Sequence, residues 1–303
     1  MSVSFPNVRV GEPIRHEALS VFPLFSDTSG GAVPYVLADE ALADESLIVE
    51  EVSESGAVSE LLVENRGDVR VLFIEGEELI GAKQNRILNT SVLVAAGSKT
   101  KIPVSCVEAG RWRYKSRQFR SSGSHSPADV RYAVASSVGA AVKKRRGHTS
   151  DQGKIWNKID ALCAKLGVTS KTSAMSDAFE SHEDQVSKYR KTAKYVDGAT
   201  GVAFAVGERV VTVDLYDKPS TCQKLWDRLL SGVVLDAIRA GKTKQHAQVQ
   251  DVEQLIGATC DAKWDEVNAA GEGEEYRAEF ADDYASALTF EETVVHGSVV
   301  AGV

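Results

Sequence analysis

Cysteine, methionine and proline are scarce in this 303-residue sequence, which holds 4, 2 and 7 of them. Cys106, Cys163, Cys222 and Cys260 stand far apart, with no C-x-x-C pair, so neither a zinc site nor a disulfide framework is expected. The six histidines form no H-E-x-x-H pattern, and metal catalysis has no support in the sequence. Long apolar runs are missing as well. Stretches such as residues 92–96 are far too short to span a bilayer, so no membrane association is expected. The opening Met1-Ser-Val-Ser-Phe-Pro has neither a basic segment nor an apolar run, and no secretory leader is expected. No cofactor motif is readable. Gly241-Lys-Thr looks like the end of a phosphate-binding loop, but Asp236 occupies the place of the required glycine, and the run follows a helical pattern rather than a strand. With 43% hydrophobic and 26% charged residues, the expectation is a cytoplasmic globular protein of one or two domains.

Charge is present but unevenly placed. Residues 83–146 hold fourteen Lys and Arg against two acids, a net of +12, within a chain whose total is −8. Such a block either neutralises the acidic remainder or holds an anion. The acidic total argues against non-specific nucleic-acid coating, and nucleic acid is not the expected partner.

Strand signals dominate the first 120 residues. Residues 61–64 and 69–74 are β-rich runs around Asn65-Arg-Gly-Asp, which predicts a hairpin. Further strands are predicted near 34–37, 46–52, 86–94, 101–107 and 111–119, with a short acidic helix or turn at 38–44. Ser121-Ser-Gly-Ser-His-Ser reads as a flexible connector. Ser126-Pro127 reads as a helix start, and Val130, Val134, Val138 and Val142 share one face of the helix that follows. Helices are expected over 151–166 and roughly 176–195. The alternation over 201–216 predicts a hairpin. Cys222, Leu225, Trp226, Leu229 and Val233 then mark the strongest helix, ended by Gly241. Strands near 276–280 and 285–300 close the chain. The fold class is therefore α+β. An N-terminal antiparallel β-rich lobe, sandwich- or barrel-like (1–120), packs with a C-terminal lobe of helices and antiparallel sheet (121–303).

Two segments concentrate reactive side chains. Residues 75–86 place three carboxylates, two cations and two amides between strands, where binding groups usually sit. There Lys83 and Arg86 would hold an anion, Gln84 and Asn85 would orient it, and Glu78 would serve as acid or base. Residues 111–120 interleave cations with Trp112, Tyr114 and Phe119. In a strand, Arg111 and Arg113 would face phosphates while Trp112 stacks on a base. The plain alternatives are a charged hairpin loop with internal ion pairs, and a strand with solvated cations and core aromatics. Glu108 is a second acid–base candidate. Cys106 is a weak candidate nucleophile, because it alternates with Ile102 and Val104 on an apolar face. Residues 143–146 are cationic at a helix C-terminus, where they offset the macrodipole.

Three runs together resemble a known family. They are Glu75-Gly-Glu-Glu-Leu-Ile-Gly-Ala-Lys-Gln-Asn-Arg-Ile-Leu-Asn, Ile102-Pro-Val-Ser-Cys-Val-Glu-Ala-Gly-Arg-Trp, and Val210-Val-Thr-Val-Asp-Leu-Tyr-Asp-Lys-Pro with Lys224-Leu-Trp. They are similar to the ADP-ribosylglycohydrolase- and rhodanese-phosphatase-associated domain family, found mostly in bacteria. The resemblance covers most of the chain and supplies no catalytic mechanism. It implies proximity to enzymes of ADP-ribose and phosphorylated NAD derivatives. The expectation is a protein that binds, and on the broader reading processes, an ADP-ribose-like nucleotide. The alternative is a non-catalytic interaction or assembly protein whose basic block contacts an acidic surface of a partner or a second copy, or single-stranded nucleic acid.

Overall fold

The computed structural model describes residues 5–27 and 33–302; the leader reading of residues 1–4 lies outside them. Seven helices and eighteen strands are described, and the class is α+β with almost wholly antiparallel pairing. The one parallel pair among the described residues joins Tyr35–Leu37 to Arg70–Phe73, which also pairs with Val92–Val94 in a three-stranded sheet.

A six-stranded sheet runs in the order Phe119–His125, Glu77–Gly81, Arg86–Leu88, Lys99–Cys106, Glu60–Asn65, Leu47–Glu51. It curls until its edges meet. Glu50 bridges Gln118, and the Gln118 amide donates to Glu50 Oε1 at 3.3 Å. Leu61, Val63, Leu79, Leu88, Ile102 and Val104 alternate inward and fill its interior, as period-2 patterning requires.

The second sheet has nine strands. Leu19–Ser26 pairs with Gly201–Val206, which continues through Arg209–Tyr216, Thr293–Val300, Asp283–Phe290 and Glu274–Phe280 to Trp264–Val267. Chain before residue 27 thus pairs with chain after residue 200. The helix Pro219–Ala240 lies between the two sheets with Cys222, Leu225, Trp226, Leu229 and Val233 all buried. Its Gly232 is required by close approach, since a Cβ there would stand 2.7 Å from the His125 carbonyl oxygen and 2.8 Å from that of Ser126.

Several expectations need correction. Glu60–Asn65 and Arg70–Phe73 form no hairpin. The Asn65 amide donates to the Val69 and Ala95 carbonyls, both at 2.9 Å, and the two strands enter different sheets. Residues 111–118 form no strand, and the supposed connector at 121–125 is part of the strand Phe119–His125. Ser126 does not cap the helix Ala128–Lys143. The carboxylate of Asp236, from the helix Pro219–Ala240, accepts from Ala128 N at 2.7 Å instead. The third helix breaks at His182 into Met175–Ser181 and Glu183–Thr192. The strand expected over 285–300 is a hairpin, turning at Glu291 and Glu292, both with positive φ. The helix Val249–Asp261 has no counterpart in the sequence-based reading.

Candidate functional site

Half of the segment 75–86 is strand, with a turn at 75–76 and a loop at 82–85 that is entered through Gly81 at φ 132°. This tight hairpin turns its polar side chains inward. Arg86 is fully buried and donates through Nη1 to Gln84 Oε1 at 2.9 Å and towards Cys106 Sγ at 2.6 Å. Its Nη2 stands 3.6 Å from Glu51 Oε1. Arg111 is paired to Glu108 twice, Nε to Oε1 at 2.8 Å and Nη2 to Oε2 at 2.7 Å. It also donates to the carbonyls of Ala82 and Gly81 and to Asn85 Oδ1. Gln84 donates to the Glu108 carbonyl at 2.8 Å, and Asn85 to Ser176 Oγ at 3.3 Å. Lys83 donates to the Glu54 carbonyl and lies 5.4 Å from the Trp112 ring centre and 5.1 Å from that of Tyr114. The two sequence segments therefore converge, and they converge on each other.

The three candidate catalytic groups sit in different electrostatic states. Burial would raise Glu108, but the Arg111 pair and the Asn85 N–H hold its carboxyl below the usual range. Burial pushes the Cys106 thiol up to about 11 despite Arg86, so it is an inert thiol at neutral pH. Glu78 has no solvent exposure, and neither carboxylate oxygen makes a well-formed hydrogen bond. Burial raises it to about 7. The Ser122 hydroxyl opposes that shift, and Glu108, Glu180 and Asp177 add to it.

From residue 112 the character changes. Trp112 and Tyr114 are exposed by 47% and 50%, as stacking on a base would require and unlike the plain alternative of core aromatics, whereas Arg111 is buried and not presented to a ligand. Arg113 between them and Lys115, Arg117 and Arg120 after them are also on the surface. Residues 115–117 separate two clefts. One, of about 760 Å³, is lined by Arg66, Lys115, Arg117 and Arg120 together with Ile48 and Ile80. The other, of about 680 Å³, places Tyr114 opposite Glu50, Glu51 and Glu54. Arg66 and Arg117 have surface carboxylate neighbours at 3.1 and 3.7 Å, whereas Lys115 and Arg120 have none among the described residues.

A second polar cluster was not anticipated. Arg131 forks onto Asp214 with both contacts at 2.8 Å, and donates to Ser298 Oγ at 2.8 Å, which donates to Glu75 Oε1 at 2.8 Å. His296 joins Asp214 Oδ1, at 3.3 Å, to Ser91 Oγ, at 2.7 Å. Against the cost of burial, Arg131 and His296 hold the Asp214 carboxyl well below its usual range. Serine, histidine and aspartate in this order can serve acyl transfer, but here all three are buried and Ser91 Oγ is engaged by Glu75 N at 3.0 Å. The arrangement is a structural network. One signal for it was readable: Asp214 alternates with Thr212 inside an otherwise apolar strand, where a lone carboxylate demands a buried partner.

No group of His, Cys, Asp and Glu placed to hold a metal ion occurs among the described residues, and no helix among them is long and apolar enough to cross a membrane. No curated protein and no solved structure matches the chain. The model of the ARPP-1 domain, the ARG and Rhodanese-Phosphatase-superfamily-associated Protein domain, matches residues 7–300, and the chain belongs to that family.

Proposed function

We propose that the protein binds an ADP-ribose-like phosphorylated nucleotide on the surface ridge formed by residues 112–120. One observation carries this reading. Of the three large hydrophobic side chains exposed among the described residues, Val58, Trp112 and Tyr114, two are aromatic and lie among four exposed cations, Arg113, Lys115, Arg117 and Arg120. An exposed indole or phenol ring offers a face to a base, and guanidinium groups fork onto phosphate oxygens. Arg113, Lys115 and Arg120, with no carboxylate partner among the described residues, are the cations free to meet phosphate, and the last two line one cleft. Arg86 and Arg111 shape the ridge from below and do not hold the ligand themselves. The family's association with ADP-ribosylglycohydrolases makes ADP-ribose the first ligand to try. Binding rather than turnover is the supported activity, because Glu78, Cys106 and Glu108 are all buried.

Calorimetric titration of the full chain with ADP-ribose, ADP and NAD at low salt tests the proposal. ADP-ribose should bind, and Trp112→Ala should weaken it by roughly 1–3 kcal/mol, the usual loss of one base stack. Absence of binding by all three ligands would overturn the reading. So would salt-sensitive self-association with no nucleotide effect, which would assign the ridge to a contact between copies.

A further inference from the structure

Residues 52–59 connect the antiparallel strands Leu47–Glu51 and Glu60–Asn65, whose register sets Glu51 opposite Leu61. Paired neighbouring strands are usually joined by about two to five residues, and longer connections are where function concentrates. None of the side chains at 52–58 is buried, so apolar packing does not hold this loop down. Its internal order is its own. Gly56 N donates to the Ser53 carbonyl at 2.8 Å, and the Ser53 and Ser55 hydroxyls lie 2.8 Å apart. At the far end Val104 N donates to the Ser59 carbonyl at 3.0 Å, which anchors one hinge.

Among the described residues, the polar ties of 52–58 to the rest of the protein run through backbone carbonyls. Lys83 Nζ donates to the Glu54 carbonyl, Arg86 Nη2 to that of Ala57 at 3.5 Å, and Cys106 Sγ to that of Val58 at 3.8 Å. The last two are long, weak contacts. Gly56 also packs on Trp112, where an added Cβ would stand 3.2 Å from the ring. On its outer side the loop borders open space, because Ser53 and Glu54 line the cleft of about 680 Å³.

Beneath the loop, Arg86 Nε and Glu51 Oε2 are buried with no hydrogen-bond partner among the described residues. Buried polar atoms are normally paired, so closure leaves this region incompletely satisfied. Cys106 lies here too, with Sγ 2.6 Å from Arg86 Nη1. Its backbone is held elsewhere. Its N–H donates to Gln152 Oε1 at 2.8 Å, and its carbonyl accepts from Gln152 Nε2 at 2.7 Å. Movement of the loop therefore leaves the thiol in place. Burial is the main cause that pushes this thiol up, with Arg86 opposing it and Glu51 adding to it. Lifting the loop relieves the burial and keeps the guanidinium, which favours the thiolate.

We propose that residues 52–58 form a flap that opens as a unit on the folded protein and uncovers Cys106, beside Arg86, as a thiol reactive towards soft electrophiles. Opening breaks a few contacts to carbonyls and no buried apolar packing, so it needs far less free energy than unfolding.

Labelling of the full chain with iodoacetamide at mildly alkaline pH tests this, with each cysteine read separately by peptide mass spectrometry. The thiolate forms the C–S bond, iodide leaves, and the thiol proton passes to the buffer. Exposed Cys260 should label first, while Cys222, buried in the helix Pro219–Ala240, reports global unfolding. Cys106 should label on the order of 100-fold faster than Cys222, and its rate should change little in low urea, because a local opening exposes little surface. Lys83→Met removes the donor to the Glu54 carbonyl. It should speed Cys106 labelling about tenfold, the worth of one charged hydrogen bond, and leave Cys222 unchanged. The flap is overturned if Cys106 and Cys222 share one rate and one urea slope, or if Lys83→Met leaves the Cys106 rate as it was. The comparison of the two cysteines uses the unmodified protein, and Cys222 shows whether the variant is folded.

Discussion

Arg86 and Arg111, on one side, and Lys115 and Arg120, on the other, come from the same basic stretch of sequence, yet they meet opposite environments. The first pair is buried and spends its hydrogen bonds on Glu51, Gln84, Glu108 and backbone carbonyls. The second pair is exposed at a cleft and has no carboxylate partner among the described residues. The difference comes from local backbone. The tight hairpin at 82–85 leaves carbonyls of Gly81 and Ala82 pointing into a packed region, and an arginine with five donors satisfies them. No such demand exists beyond residue 112. A positive block in a sequence therefore mixes cations that complete the fold with cations free for a partner.

Removing a structural cation should produce the largest effect. Arg111→Ala strands Glu108 as a buried, under-compensated carboxylate and frees the Gly81 and Ala82 carbonyls. About 3–5 kcal/mol of stability should be lost in urea unfolding at neutral pH, the range for breaking a buried pair. Adding Glu108→Ala should recover part of that loss, and the double-mutant cycle isolates the coupling. A loss below 1 kcal/mol would erase the distinction between the two pairs of cations.

Glu78 and Glu108 sharpen the same contrast with acids. Glu108 is low because a guanidinium grips it, whereas Glu78 is raised to about 7 by burial first and by neighbouring carboxylates second. An acid raised on folding costs stability once ionised. As pH rises from the ordinary carboxyl range towards 7, the unfolded chain releases this proton first, so stability falls across that window and levels off above it. Below the window there is no cost. Glu78→Gln cannot ionise and should escape this loss, gaining relative to the parent by roughly 3 kcal/mol at most between pH 4.5 and 8. Asp236 is also raised to about 7 by burial and slopes the same way in both proteins, so the difference between them isolates Glu78. Parallel stability curves would show that Glu78 is ionised at no cost.

Local periodicity made much of the fold legible. The hairpin over 201–216 and the helix Pro219–Ala240 stand where alternation and 3.6-residue spacing place them. What periodicity does not carry is the partner. Glu60–Asn65 reads as a strand, but it pairs with Leu47–Glu51 and with residues from 99 onward, not with the strand that follows it. The turn at Glu291-Glu292 was hidden because two glutamates adopt positive φ where glycine or asparagine is usual. Along 111–120 the residue types announced a polar site, but the strand assumed there does not form, and Arg111 turns away from the surface that Trp112 shares. The alternation of cation and aromatic is real in the letters and absent from the backbone, so Arg111 went in and Trp112 came out.

The smallest effect on stability belongs to the free cations. Arg120→Ala removes a side chain that completes no ion pair among the described residues, and its unfolding free energy should stay within about 0.5 kcal/mol of the parent. Its value lies in what should change with it. If the ridge holds phosphates, Arg120→Ala should weaken ADP-ribose binding and also flatten the fall of affinity with added salt, because a cation acting through solvent is screened over a Debye length of about 8 Å at physiological ionic strength. Arg111→Ala, compared under conditions where it remains folded, should leave that salt dependence unchanged, because its charge is already matched by Glu108. Stability should therefore respond to one arginine and salt-dependent affinity to the other. Equal responses in both measurements would mean that the buried and the exposed cations act as one electrostatic unit.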